Sequence, residues 1–130
     1  MAGELILIVE DNAQNRKVTR DLLQVHGYRT IEAETGEDAI ALVTVCAPAL
    51  VIMDVRLPGM SGVDALAQLR AAPATRALPV LAFTASVMPE DRSEVMAAGF
   101  DAFLSKPIDI ELFVQTVADA LKPSRSGGRP

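Results

Sequence analysis

The side chains best suited to chemistry stand directly after apolar runs. Residues 50–53 lead into Asp54, and Leu5–Val9 leads in the same way into Glu10 and Asp11. A short apolar run bounded by turn residues is typical of a strand buried on both faces of a parallel sheet. Open α/β sheets bind their ligands at the carboxyl ends of such strands. We therefore expect these carboxylates to belong to a functional site.

Two further apolar runs end in polar residues, since residues 79–83 lead into Thr84 and residues 102–105 lead into Lys106. Parallel strands end at one edge of a sheet, so all these groups should converge. Carboxylates gathered there would repel one another and raise each other's pKa values unless a cation lay between them. A site with few carboxylates and room for water suits Mg²⁺ better than Ca²⁺. Zinc is disfavoured because no His or Cys stands at a ligand spacing.

This arrangement also predicts a reaction. An aspartate carboxylate can attack phosphorus and form an aspartyl phosphate. Phosphoryl transfer needs mainly positioning and neutralisation of charge. Mg²⁺ on one side of Asp54 and Lys106 on the other would neutralise the charge, and the hydroxyl of Thr84 could donate a hydrogen bond to a phosphoryl oxygen. Asp54 is thus the predicted acceptor of a phosphoryl group.

The elements that must position these residues alternate along the chain. The patterns predict strands over 5–9, 29–33, 50–54, 79–84 and 102–105, and helices over 13–26, 36–45, 63–71, 89–98 and 110–121. Asn12 and Asp109 are predicted N-caps, and Gly27 and Gly99 are predicted helix stops. The last helix carries an apolar stripe that includes Ile110. Five alternations predict a parallel sheet with helices on both faces and right-handed crossovers.

Composition narrows the class of protein. The 130 residues fit one domain, predicted over 1–122, with a flexible tail over 123–130. The net charge of −5 argues against nucleic acid as a partner. The single cysteine, Cys46, excludes a disulfide framework. Neither a membrane span nor a signal peptide is predicted, so we expect a cytoplasmic protein without a membrane partner.

Together, the polar motifs resemble a known family. They are Glu10-Asp11-Asn12, Met53-Asp54 with the following Leu57-Pro58-Gly59-Met60-Ser61-Gly62, Thr84-Ala85 and Lys106-Pro107. In this order and spacing the chain up to about Lys122 resembles the receiver domain of two-component response regulators, of the chemotaxis-regulator-like, single-domain type. The resemblance implies a flavodoxin-like fold whose five parallel strands have the order 2-1-3-4-5.

The resemblance also implies roles for individual residues. Asp54 would accept a phosphoryl group from a histidine of a sensor kinase or a histidine phosphotransfer protein. The carboxylates of Asp11 and Asp54 and the backbone carbonyl of Arg56 would bind Mg²⁺ directly, while Glu10 would act through water. Thr84 and Lys106 would contact the phosphoryl group. Glu10 departs from the family pattern, in which an Asp is more usual.

A switch is implied as well. The Lys106–Pro107 peptide bond would be cis. Phe103 would swing inward when Thr84 moves and so alter the face formed by the helix over 89–98, the last strand and the last helix. Plain core packing is the alternative for Phe103, which lacks the hydroxyl of a tyrosine.

Output would then be a contact with a downstream protein or onward phosphate transfer, because the sequence after Lys106 is too short for an output domain. The protein would be a monomer or a phosphorylation-dependent homodimer. The dimer would use a face near Val87, Met88, Glu94 and Phe103.

Two other functions are compatible with the fold class. Aspartate-nucleophile phosphatases carry a second Asp two residues after the nucleophile, where this chain has Arg56. A flavin-binding module would need a Ser/Thr-rich phosphate loop where the chain has Glu10-Asp11-Asn12. We therefore expect a signalling protein and not an enzyme.

Overall fold

A computed structural model of the chain describes residues 3–57, 59–84, 93, 95–106 and 108–122. The strands are β1 Leu5–Val9, β2 Arg29–Ala33, β3 Leu50–Asp54, β4 Val80–Thr84 and β5 Ala102–Ser105. The helices are α1 Ala13–Val25, α2 Gly36–Cys46, α3 Gly62–Ala71 and α4 Ile110–Leu121. Ser93 and residues 95–97 are also helical.

The five strands form one parallel sheet in the order β2-β1-β3-β4-β5, which confirms the predicted topology. The register aligns the carboxyl ends of the central strands. Val9 pairs with Met53, so the next residues, Glu10 and Asp54, lie side by side. Thr84 pairs with Ser105, which places Lys106 one residue beyond Thr84. The predicted convergence of polar residues at one edge therefore follows from the pairing.

Alternate side chains of the strands build two cores, one on each face of the sheet. Leu7, Val51 and Val80 pack with residues of α2 and α3, whereas Ile8 and Ile52 point to the other face, towards α1 and α4. Residues 6–9 of β1 and all of β3 and β4 are buried. Strands covered on both faces read as continuous apolar runs, which is why they could be predicted from the sequence.

Side-chain caps fix the starts of the helices. Asn12 and Asp109 cap α1 and α4 as predicted, and each accepts a hydrogen bond from a backbone N–H three residues ahead. Ser61 caps α3, which therefore begins at Gly62 and not at Val63.

The end of α2 and the exposure of Ile110 differ from the sequence prediction. Helix α2 continues one residue beyond the predicted end, to Cys46, and Ala47 takes a left-handed conformation with φ of 49° because Pro48 disfavours further helix. Ile110 belongs to the predicted apolar stripe of α4, yet it is 59% exposed. It is the first residue of the helix, so it does not lie over the sheet.

Several predictions fall outside the described residues. These are the start of the helix over 89–98, the residues Val87, Met88 and Glu94 of the predicted dimer face, the position of Pro107, and the tail over 123–130. Gly99, the predicted stop of that helix, is described and has a left-handed φ of 110°. Within the part of the chain that is described, no helix has both the length and the apolar character needed to cross a membrane.

Candidate phosphoryl-acceptor and metal site

The predicted site residues meet at the carboxyl edge of the sheet. Glu10 follows β1, Asp54 closes β3, Thr84 closes β4 and Lys106 follows β5. Glu10, Asp54 and Thr84 are buried although all three are polar. Buried polar groups need hydrogen-bond or ionic partners, so the partners of each decide what the site can do.

Lys106 is the cation of this cluster. Its Nζ lies 2.6 Å from Oε1 of Glu10 and 2.9 Å from Oδ2 of Asp54. The ammonium group also lies 5.4 Å from the centroid of the Phe83 ring, a distance at which a cation and an aromatic ring attract each other. The backbone N–H of Lys106 donates to the carbonyl of Thr84 at 2.9 Å, which fixes the start of this side chain beside β4. One lysine therefore joins the ends of β1, β3 and β4.

The carboxylates of Glu10, Asp11 and Asp54 form a group that could hold a metal ion, since an oxygen of each lies within 4.8 Å of the others. Asp11 is exposed, whereas the other two are buried. The second oxygen of Glu10 accepts a hydrogen bond from the backbone N–H of Asn12 at 3.2 Å. The group is thus open to solvent on the side of Asp11 and closed on the side of Lys106.

Burial and charge shift two pKa values in this cluster. Burial raises the pKa of Glu10 above its usual value, and the neighbouring charge of Asp54 adds to the increase, although hydrogen bonds from Lys106 and Asn12 oppose it. Burial alone would lower the pKa of Lys106, but its hydrogen bonds to Glu10 and Asp54 outweigh that effect, so its pKa is raised. From the sequence, mutual repulsion was the expected cause of raised pKa values among the carboxylates. For Glu10 the larger cause is burial.

The loop after β3 holds Asp54 from the other side. The backbone N–H of Arg56 donates to Oδ1 of Asp54 at 2.9 Å. Gly62 closes the loop, because its N–H donates to the carbonyl of Val55 at 2.9 Å and a Cβ there would lie 2.5 Å from the carbonyl oxygen of Asp54. Only glycine permits so close an approach. Gly59, with φ of 72°, supplies a left-handed turn in the same loop.

The residues present fit Mg²⁺. Their donors are oxygen atoms only, they carry an excess of negative charge, and Asp11 leaves the group accessible to water, as Mg²⁺ prefers. The raised pKa of Glu10 shows that the single charge of Lys106 does not fully offset the burial of that carboxylate. A divalent cation would supply further positive charge at this point.

The remaining predicted residues take different positions. Thr84 is almost completely buried, at 1% exposure. Phe103 is partly buried and packs against the core on the α2 and α3 face. This position is compatible with plain packing and with the switch role. The structure does not describe Pro107, so the predicted cis peptide lies outside the described residues.

Arg16 and Phe83 lie at the site but were not predicted from the sequence. Arg16, on the first turns of α1, donates to backbone carbonyls next to the carboxylates. Phe83 lies under Lys106 and packs against Phe113 with ring centroids 5.9 Å apart. For Arg16 a signal was available, because Glu32 and Glu34 alternate at the end of β2, the strand that pairs with β1. Arg16 follows Glu10-Asp11 by about one helical turn, so an ion pair between Arg16 and Glu32 or Glu34 could have been predicted.

Comparison with known proteins decides the family. The model of the response regulator receiver domain matches residues 6–118, which include every residue of the cluster. The chain belongs to the response regulator receiver domain family. Its function is therefore that of a receiver domain, which is a signalling domain of two-component systems.

Named relatives agree with this assignment. The polar-differentiation response regulator DivK of Brucella ovis is 37% identical over 116 residues, which cover 89% of this chain and 94% of that protein. The chemotaxis response regulator CheY4 of Vibrio cholerae has a TM-score of 0.84 and 29% identity, covering 93% of this chain and 99% of the other.

One solved relative contains a metal. The receiver domain of a sensor histidine kinase from Pseudomonas aeruginosa has a TM-score of 0.86 and 31% identity, over 92% of this chain and 98% of that one. Its structure holds a magnesium ion coordinated in the active-site cleft.

Proposed function

We propose that this protein is a cytoplasmic, single-domain response regulator that accepts a phosphoryl group on Asp54 in a Mg²⁺-dependent reaction. The donor is a phosphohistidine of a sensor histidine kinase or a phosphotransfer protein. The observation that carries the proposal is the meeting of Glu10, Asp54 and Lys106 at distances of 2.6 and 2.9 Å, with Asp11 at the open side. The proposed domain covers residues 1–122.

The chemistry follows from the contacts of Asp54. A carboxylate oxygen attacks the phosphorus of the phosphohistidine, the P–N bond breaks, and the imidazole keeps the electron pair of that bond. The N–H of Arg56 and the ammonium of Lys106 hold the two oxygens of Asp54 in place before the attack. Bound Mg²⁺ would neutralise phosphoryl charge. Asp11, Asp54 and the carbonyl of Arg56 would hold the ion directly, and Glu10 through water.

Phosphorylation would change the partners of Lys106 and Thr84. A phosphoryl group on Asp54 offers new acceptor oxygens to the Lys106 ammonium and the Thr84 hydroxyl. We propose that Phe103, three residues before Lys106 on β5, follows the movement of Thr84 and alters a surface read by a downstream protein. The proposed output is this contact with a downstream protein, or onward transfer of the phosphoryl group.

Incubation with acetyl phosphate and MgCl₂, followed by intact-mass measurement, tests the proposal. We expect one phosphoryl group per chain, formed only with Mg²⁺ and absent in Asp54→Asn. Asp119→Asn is the matched control, because Asp119 is an exposed carboxylate on the last turn of α4, and the adjacent residues 120–122 lie beside Pro79 at the amino edge of the sheet. Phosphorylation of the Asp54→Asn variant to the same extent as wild type would refute the assignment of Asp54 as the acceptor.

The same experiment separates the competing functions. A phosphatase would turn over many equivalents of acetyl phosphate, and a flavoprotein would be yellow when purified. Mass measurement in solution with and without beryllofluoride then tests the proposed homodimer. An unchanged monomer in both states would exclude dimerisation driven by phosphorylation.

A further inference from the structure

Arg16 makes contacts that surface arginines rarely make. It lies on α1, and its side chain is only 15% exposed. Its Nη1 donates to the backbone carbonyls of Glu10 at 2.8 Å and Asp11 at 3.2 Å. Its Nε donates to Oε1 of Glu32 at 3.3 Å, and its Nη2 lies 3.6 Å from Oε2 of Glu34. Every nitrogen of the guanidinium group is therefore engaged.

These contacts bracket the turn that carries two of the clustered carboxylates. Glu10 and Asp11 lie between the end of β1 and the Asn12 cap of α1. The N–H of Glu10 still donates to the carbonyl of Ala33 at 3.0 Å, and Arg16 binds the carbonyl groups that follow. Arg16 bonds the carbonyl of each and anchors both to the end of β2. A planar guanidinium can make several such bonds in fixed directions, which a lysine ammonium cannot reproduce.

Arg20 provides an internal comparison one turn further along α1. It bonds the other carboxylate oxygen of Glu32 at 3.1 Å and lies 3.4 Å from Asp21. Among the described residues, no hydrogen bond or ion pair joins Arg20 to the turn between β1 and α1. The two arginines thus share Glu32 and differ in whether they hold the backbone of Glu10 and Asp11.

We infer that Arg16 is a positioning residue for the metal site: it holds the Glu10-Asp11 turn so that both carboxylates face Asp54. This inference rests on the proposed function, because it concerns the Mg²⁺ that the cluster would bind. Arg16 bonds the backbone of these residues and none of their carboxylate oxygens, so its action on the site is indirect.

The direction in which Mg²⁺ affinity changes when Arg16 is removed distinguishes a positioning role from an effect of its charge. Arg16 is a cation near a cation site, so its charge alone opposes Mg²⁺. Its removal would strengthen Mg²⁺ binding if charge were its whole contribution. Loss of positioning weakens binding instead, and loss of a partner that orients metal ligands typically reduces metal affinity by about tenfold or more.

Calorimetric titration of the full chain with MgCl₂ tests the inference, since the chain contains no tryptophan to report binding by fluorescence. The variants are Arg16→Gln, Arg16→Lys and the control Arg20→Gln, each with its free energy of unfolding measured in urea. We expect Arg16→Gln to bind Mg²⁺ about tenfold more weakly. Arg16→Lys should also bind Mg²⁺ weakly, because it keeps the positive charge and loses the planar guanidinium group. Arg20→Gln should have the Mg²⁺ affinity of wild type.

The outcomes distinguish this inference from the proposed function. An affinity of Arg16→Gln equal to or above that of wild type would overturn the positioning role alone. So would an equal loss in Arg20→Gln, or wild-type affinity in Arg16→Lys, which retains the charge and lacks the planar guanidinium group. A wild-type chain that bound no Mg²⁺ would overturn both the inference and the proposed function.

Discussion

At the amino edge of the sheet, Arg70 of α3 donates to the carbonyl of Leu78 at 2.6 Å, to that of Gly99 at 3.2 Å and to Asp101 at 3.0 Å. The same oxygen of Asp101 accepts the N–H of Val80 at 2.7 Å. One cation here meets one carboxylate and a set of carbonyl groups. The charges are balanced, and the groups serve to close the starts of β4 and β5.

At the carboxyl edge, Nζ of Lys106 lies 2.6 Å from Glu10 and 2.9 Å from Asp54, and a carboxylate oxygen of Asp11 lies within 4.8 Å of an oxygen of each. Negative charge is in excess, and burial raises the pKa of Glu10. The contrast shows how one sheet separates stability from function. Its amino edge holds charges that balance each other, while its carboxyl edge keeps an excess of negative charge, which the proposed Mg²⁺ would offset.

The largest effect is expected when the cation of the carboxyl edge is removed. Lys106→Met leaves Glu10 and Asp54 buried without their ionic partner, which should lower the free energy of unfolding by about 3 kcal/mol. Urea unfolding at neutral pH measures the loss, and phosphorylation by acetyl phosphate should fall with it. A variant as stable as wild type would show that the two carboxylates do not need Lys106.

Addition of Mg²⁺ should change the free energy of unfolding in the opposite direction to Lys106→Met and by a similar amount. Mg²⁺ at about a hundredfold excess over its Kd should raise the free energy of unfolding by about 2.7 kcal/mol, because it binds the folded state. The increase should be much smaller in Asp11→Asn, which removes an exposed carboxylate of the group. Thermal denaturation with and without MgCl₂ measures both. An equal increase in Asp11→Asn would place the ion elsewhere.

Disruption of the amino edge should affect stability and leave function intact. Arg70→Gln removes the ion pair with Asp101 and leaves partly buried carbonyl groups without a donor, at a cost of about 2 kcal/mol. Mg²⁺ affinity and the rate of phosphorylation should stay at wild-type values below the melting temperature. A fall in Mg²⁺ affinity would show that the two edges are coupled.

The smallest effect concerns pH. Burial raises the pKa of folded Glu10 above its unfolded value, so the folded state holds this proton more tightly. The contribution of Glu10 to stability is therefore fully present below the unfolded pKa and declines as pH rises through the folded pKa. Glu10→Gln lacks this decline, so without Mg²⁺ its stability relative to wild type should increase over that interval. Urea unfolding at several pH values would show a constant difference if Glu10 were not shifted.

Much of the fold could be predicted from the sequence because the three central strands, β1, β3 and β4, are buried on both faces. Leu50–Asp54 has the predicted bounds, since a continuous apolar run and its flanking turn residues define it. Ala102–Ser105 also has the predicted bounds, although this strand is only partly buried. The end of α2 was predicted one residue early. The helix continues through Cys46 because Ala47 can adopt a left-handed conformation, and the pattern of apolar residues does not encode that choice.

The location of the candidate site could be predicted from the sequence, but most of its side-chain contacts could not. Topology alone brings Glu10, Asp54 and Lys106 to one edge, and their order along the chain was sufficient to see it. The double contact of Lys106 and the anchoring by Arg16 depend on the reach and direction of long side chains. Periodicity does not report those directions, so sequence reasoning did not find them.

A crystal structure of the protein with Mg²⁺ and beryllofluoride would examine the charge excess of the carboxyl edge most directly. We expect the fluoride complex to be bonded to a carboxylate oxygen of Asp54, with Lys106 and Thr84 on its fluorine atoms and Mg²⁺ held by Asp11, Asp54 and the carbonyl of Arg56. Beryllofluoride on another side chain, or a metal ion bound away from this cluster, would contradict the assignment of Asp54 as the phosphoryl acceptor.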